Sequence, residues 1–126
     1  MRAVDTNVLV RLLTQDDPRQ AARAEAFIAR GAWVSHLVLV ESMWVLSSVY
    51  AITPKGVATA VEMLLNHQHL SIQDPDVVAA ALTRFTKKPA LGFSDCLILE
   101  VARKAGHLPL GTFDGSLGKS DGAQTL

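Results

Sequence analysis

The feature that most constrains this chain is the alternation of very short apolar runs with longer helical patterns. Ala3-Val4, Ala32-Trp33-Val34, Leu70-Ser71-Ile72 and Leu108-Pro109-Leu110-Gly111-Thr112 are the short runs. Between them, apolar residues recur three and four positions apart, which is the period of an amphipathic helix. A strand that leads into a helix and then into another strand returns to the same end of the sheet, so the two strands pair in parallel. The pattern predicts an α/β domain with a small, mostly parallel sheet. In such sheets, ligands gather at the carboxyl ends of the strands.

The punctuation between elements supports this order. Asp5-Thr6-Asn7 follows the first run, and Val8, Leu9, Leu12 and Leu13 then recur at helical spacing. Asp16-Asp17-Pro18 starts a second helix that Gly31 stops. Ser35 can cap an apolar helix from Leu37 to Tyr50, and Thr53-Pro54 opens another that carries Val57, Ala60, Val61, Leu64 and Leu65. Asp74-Pro75-Asp76 caps a helix through Phe85, which Lys87-Lys88-Pro89 breaks. Ser94-Asp95 opens a helix that ends at Gly106, and Pro109 weakens the strand after it. The polar end leaves room for one last short strand at Ala123 to Leu126. With no repeat, linker or low-complexity segment, residues 1–126 read as a single domain.

Composition narrows the function. Apolar residues make up 49% of the chain and charged residues 19%, enough to build a core and too apolar for a disordered chain. Twelve Lys and Arg balance twelve Asp and Glu, so any nucleic-acid contact must come from a local patch. One cysteine, Cys96, excludes an internal disulfide framework and a cysteine-based zinc finger. The first apolar stretch ends after two residues and gives no signal-peptide core. Glu41, Glu62, Asp95 and Glu100 interrupt the later ones well short of the ~20 residues of a membrane helix. The expected setting is the cytoplasm, with no membrane partner.

Four acids stand where chemistry is usually done. Asp5 follows the first strand directly, where it serves either as a ligand or as an N-cap. Glu41 lies among Leu37, Val38, Trp44 and Val45 on helical spacing. There it needs a salt bridge, a route to solvent or a metal. Asp95 sits at a helix start, where the helix dipole alone could account for it. Asp114 follows the fourth strand and precedes Gly115, a place that also suits a turn. Taken together, carboxylates at strand ends and helix starts suit a hard divalent cation, Mg²⁺ or Mn²⁺.

At these residues the sequence resembles the PIN domain family, and within it the ribonuclease toxins of VapBC-type toxin–antitoxin pairs. The likeness runs through Val4-Asp5-Thr6-Asn7, Glu41, Asp74-Pro75-Asp76, Gly92-Phe93-Ser94-Asp95-Cys96 and Gly111-Thr112-Phe113-Asp114, in that order. It implies a three-layer α/β/α domain in which Asp5, Glu41, Asp95 and Asp114 converge to hold Mg²⁺ or Mn²⁺ and hydrolyse RNA. Thr6 and Thr112 match hydroxyl positions that support the acids, and Asn7 matches a polar position beside the first one. The resemblance further implies an antitoxin partner and a homodimer. The alternative it leaves is a catalytically silent PIN-like domain that binds protein or RNA.

Other chemistries fit less well. An aspartyl phosphatase centred on Asp5 wants a second acid two residues on, where Asn7 stands. A receiver domain wants paired acids after the first strand, and these are missing. His36, His67, His69 and His107 share no ligand spacing with the acids and read as surface or structural residues. Cys96 reads as a buried thiol, and Trp33 and Trp44 as core or interface. Arg11, Lys87, Lys88 and Lys119 are candidates for phosphate contact, which positions RNA without reading its sequence. The helices from Leu37 to Tyr50 and from Val57 to Leu65 carry more apolar surface than one core face needs, the mark of an interface.

Overall fold

The computed structural model describes residues 1–126, which divide into two compact units, Met1–Pro75 and Asp76–Leu126. The first unit runs β1 (Arg2–Ala3), α1 (Thr6–Thr14), α2 (Pro18–Ile28), β2 (Ala32–Val34), α3 (His36–Ser48), α4 (Pro54–Leu65) and β3 (Leu70–Ile72). Its strands pair in the order β1-β2-β3, all in parallel, with Ala3 opposite Trp33 and Trp33 opposite Ser71. The ladder extends beyond β1, because the Val4 N–H donates to the Trp33 carbonyl at 3.2 Å. That bond brings the chain to Asp5 at the carboxyl end of the strand.

Each helix of this unit starts on a side-chain cap of the kind the sequence signals. Asp5, Asp17, Ser35 and Thr53 accept the N–H groups of Val8, Gln20, Val38 and Gly56. These satisfy donors that the first helical turn leaves without an intrahelical partner. Leu9, Val10, Ile28, Val34, Leu39, Val61 and Leu64 form the buried core. Ser42 is fully buried, and its hydroxyl donates to the Val38 carbonyl at 2.7 Å, so it carries no unmet polar group.

The second unit holds α5 (Pro75–Lys87, which begins at the boundary residue), α6 (Phe93–Ala105), β4 (Leu110–Thr112) and β5 (Ala123–Thr125). A 3₁₀ turn, Pro89–Leu91, joins the helices, and another, Leu117–Lys119, lies between the strands. β4 and β5 pair in parallel, Leu110 opposite Ala123 and Thr112 opposite Thr125, so the last strand forms despite its polar sequence. α6 ends on Gly106 in the left-handed region at φ 83°, a conformation that favours glycine. Phe85 and Phe93 meet edge to face, with ring centroids 6.0 Å apart.

The expected mixed α/β class and parallel pairing are therefore both present. The tryptophans, expected in the core or at an interface, are outside the core. Trp33 is 38% exposed and Trp44 is 65% exposed, so neither is a core residue. Trp33 occupies the outward position of an in-out-in strand, and Trp44 shares the exposed side of α3 with Leu37 and Glu41. The other apolar residues of β2 and α3 already fill the core.

Candidate active site

In the first unit, Asp5 is exposed and its Oδ1 accepts the Val8 N–H at 3.2 Å. It caps α1, as the simpler reading of the sequence allows, and Thr6 and Asn7 form the first turn behind it. Glu41 is exposed in the middle of α3. Residues 37, 41 and 44 fall on one side of a helix, so Leu37, Glu41 and Trp44 make an open stripe. The carboxylate thus reaches solvent, and no metal is needed to account for it.

The acids of the second unit behave differently. Asp95 sits in the first turn of α6 and is partly buried. Burial first, and then the negative charge of Asp114, hold its carboxyl above the ordinary aspartate range. This happens despite the helix N-terminus, which by itself favours the charged form. Asp114 lies just after β4, exposed and closely held. Its N–H donates to Thr112 Oγ1 at 3.0 Å, its Oδ1 accepts the Leu117 N–H at 2.8 Å, and its carbonyl accepts the Gly118 N–H at 2.9 Å. Thr112 Oγ1 therefore holds the Asp114 backbone.

Other residues fall outside this chemistry. Burial pushes the Cys96 thiol up to about 11, so it is a protonated core group and no nucleophile. His36 is structural: its Nε2 lies 2.8 Å from the Gln73 carbonyl, and its N–H donates to Gln73 Oε1 at 2.9 Å. His67 Nδ1 accepts the His69 N–H at 3.1 Å. Arg11 is engaged by Asp16, Gln20 and Tyr50, which weakens its candidacy for phosphate. Lys87, Lys88 and Lys119 are exposed.

Two residues escaped the sequence reading. Glu100 is only 7% exposed and is gripped by Arg84 at 3.1 Å and by Arg103 at 3.2 Å. The helical spacing of Glu100 and Arg103 was the available signal. Phe113 is 84% exposed between Thr112 and Asp114, and its signal was an aromatic inside the run that carries the resemblance.

The donor chemistry can be tested against a divalent cation. No group of three or more His, Cys, Asp or Glu side chains stands where it could hold a metal ion. The expected four-acid set is therefore not gathered into one donor group. The charge of Asp114 does reach Asp95.

The PIN domain family model matches residues 2–122. Searches of curated proteins and of solved structures gave no match. The family match covers nearly the whole length, and the parallel α/β elements agree with it, so the chain belongs to the PIN domain family.

Proposed function

We propose that the protein is a Mg²⁺- or Mn²⁺-dependent endoribonuclease, the toxin of a type II toxin–antitoxin pair acting in the cytoplasm. The observation that carries this reading is the pressure of Asp114's charge on Asp95. A carboxyl held above its ordinary range by burial and by the charge of a second carboxylate is poorly placed for structure alone and well placed for a cation. Asp95 and Asp114 of the second unit would hold the ion. When bound, the ion neutralises phosphate charge and acidifies a water. The reaction is hydrolysis: the P–O3′ bond breaks, leaving a 5′-phosphate and a 3′-hydroxyl that takes the proton. Thr112 holds the Asp114 backbone in place, and Thr6 and Asn7 stand beside Asp5.

The absence of a three-donor group favours a second reading, a PIN domain that binds RNA or protein without turnover. On donor arrangement alone this reading is the stronger, whereas the identity of the four acids supports the nuclease. Cleavage of structured and unstructured RNA separates the two, run with Mg²⁺, with Mn²⁺, with chelator, and with Asp95→Asn. Cleavage that needs both metal and Asp95 establishes the enzyme. RNA binding without cleavage by the folded, antitoxin-free protein establishes the binding module.

The antitoxin and a homodimer are proposed on apolar surface. Leu37, Trp44, Val49 and Met63 are each more than half exposed. An open cavity of about 690 Å³ is lined by Leu13, Leu46, Tyr50, Ile52 and Met63. No helix is long and apolar enough to cross a membrane.

A further inference from the structure

The cations of this chain differ in what holds them. Arg11, Arg84, Arg103 and Lys104 each reach a carboxylate within 3.2 Å. Arg19, Arg23 and Arg30 are exposed, and none is bonded to a carboxylate or to any other acceptor. Arg19 and Arg23 belong to α2, and Arg30 follows its last turn, with Ala29 still in right-handed helical backbone. Steps of four and seven residues return to the same side of a helix, so the three form one row, about 6 Å and then about 10 Å apart along the axis. Ala22 and Ala26 share that side and are exposed too. Glu25, the one acid of α2, lies off it and accepts from Gln15 at 3.2 Å. Arg2 extends the row. Its guanidinium donates to the Phe27 carbonyl at 3.1 Å and lies 3.8 Å from the centre of the Phe27 ring. Phe27 is four residues from Arg23 and three from Arg30, so this held cation stands beside them.

The helix gains nothing from Arg19 and Arg23. Arg19 stands in the first turn, where the macrodipole disfavours a cation, and the two repel each other four residues apart. An anion laid along the row relieves both. The rest of the face decides which anion. Protein partners are anchored by large side chains in a desolvated centre, and between these arginines stand only Ala22 and Ala26. A chain of phosphates needs no such anchor. Each guanidinium can donate two parallel hydrogen bonds to a phosphate, and the intervals along α2 are on the scale of phosphates on one strand. With a formal net charge of zero, nucleic-acid contact requires a local patch of this kind.

We propose that Arg19, Arg23, Arg30 and Arg2 form a phosphate-binding ridge along α2, on which the protein holds the backbone of RNA without reading its bases. The ridge lies wholly in the first unit and takes no part in bond cleavage. This inference rests on the reading above in taking RNA as the ligand, and it does not depend on turnover.

The test uses the full chain and a short fluorescein-labelled single-stranded RNA. Fluorescence anisotropy follows binding in chelator over a range of salt. Arg19→Gln, Arg23→Gln and Arg30→Gln together should weaken binding about 100-fold at low salt. They should also lower the slope of log affinity against log salt by about 2, since each phosphate contact on a single strand contributes about 0.7. Lysine at the same three positions keeps the charge and should keep the slope. A peptide nucleic acid of the same sequence, whose backbone is uncharged, should not bind. Thermal unfolding of the glutamine variant should match wild type, because the three side chains are exposed and unpaired. An unchanged slope in the glutamine variant, with wild-type protein binding and cleaving RNA, overturns the ridge alone. Binding that the glutamine variant loses, with no cleavage by wild-type protein in Mg²⁺ or Mn²⁺, upholds the ridge and overturns the nuclease reading. Neither binding nor cleavage by wild-type protein overturns both. Polyglutamate that displaces the probe as well as unlabelled RNA of equal charge overturns RNA as the occupant, in favour of an acidic protein.

Discussion

The acids of the two units were equivalent as sequence and are different as structure. In Met1–Pro75, Asp5 caps a helix and Glu41 stands in solvent on an open stripe. In Asp76–Leu126, Asp95 is partly buried and feels the charge of Asp114. The type and position of a carboxylate therefore mark it as a candidate, while its surroundings decide whether it carries a cost. Asp5 has a local structural use that would exist without any catalysis. Asp95 carries an electrostatic burden that its helix does not require, and such burdens concentrate at functional sites.

The sharpest way to break this contrast is Asp95→Asn, which keeps the shape and removes the charge. On the nuclease reading, cleavage should fall about 100-fold or more while the circular dichroism spectrum is unchanged. Full activity would end the assignment of Asp95. Next in size is Glu100, the buried acid that sequence reasoning passed over. Glu100→Ala leaves Arg84 and Arg103 facing an emptied, largely buried place. Breaking such a pair costs about 3–5 kcal/mol when both partners are buried, and about 2–3 kcal/mol where the arginines reach solvent, as here. Chemical denaturation measures it, and a change below half a kilocalorie would show the network to be idle.

The caps test the first unit against the second at smaller scale. Asp5→Ala and Asp114→Ala each remove an acceptor from a turn start, at a cost of about 1 kcal/mol. Only Asp114→Ala should also lower the pKa of Asp95 towards its ordinary range, because Asp114's charge is one of its two causes. Carboxyl titration followed by NMR in the two variants shows the difference. An Asp95 that titrates unchanged in Asp114→Ala would mean that burial alone sets it.

Much of this was legible beforehand. Caps and breakers are local chemistry, so Asp17-Pro18, Ser35, Thr53-Pro54 and Gly106 placed the helix ends closely. The short strands showed through their apolar runs and through the helices between them. The polar run at Ala123–Thr125 gave a weaker signal, and its pairing with β4 rests on backbone bonds that any side chain allows. Burial was harder to read. Trp33 and Trp44 were expected in the core or an interface; only the core half fails, because which side of a strand or helix faces inward depends on what the rest of the fold supplies. At the site, the four acids were legible as residues. Their mutual distances were not, because spacing along a chain gives no separation between elements far apart in it.

The smallest effect is also the one that separates two acids by sign. Hydrogen bonds from Tyr50 first, then from Thr14, hold Asp16 below the ordinary aspartate range, with the Arg11 charge adding to them. The folded chain therefore releases this proton before the unfolded chain does. Asp16 contributes stability above the ordinary carboxylate pKa, and that contribution disappears as pH falls through the lowered folded value. Asp95 runs the other way. The folded chain keeps its proton after the unfolded chain has lost it, so stability falls as pH rises from the ordinary value through the raised one. At neutral pH, Asp16→Asn should lower the thermal midpoint and Asp95→Asn should raise it. Both differences should vanish in acid, that of Asp95→Asn at the ordinary carboxylate pKa and that of Asp16→Asn at a lower pH. Thermal unfolding of the two variants from about pH 2 to pH 7 reads both signs. A destabilised Asp95→Asn would mean that its carboxylate is used structurally after all, and the contrast between the two units would then lose its basis.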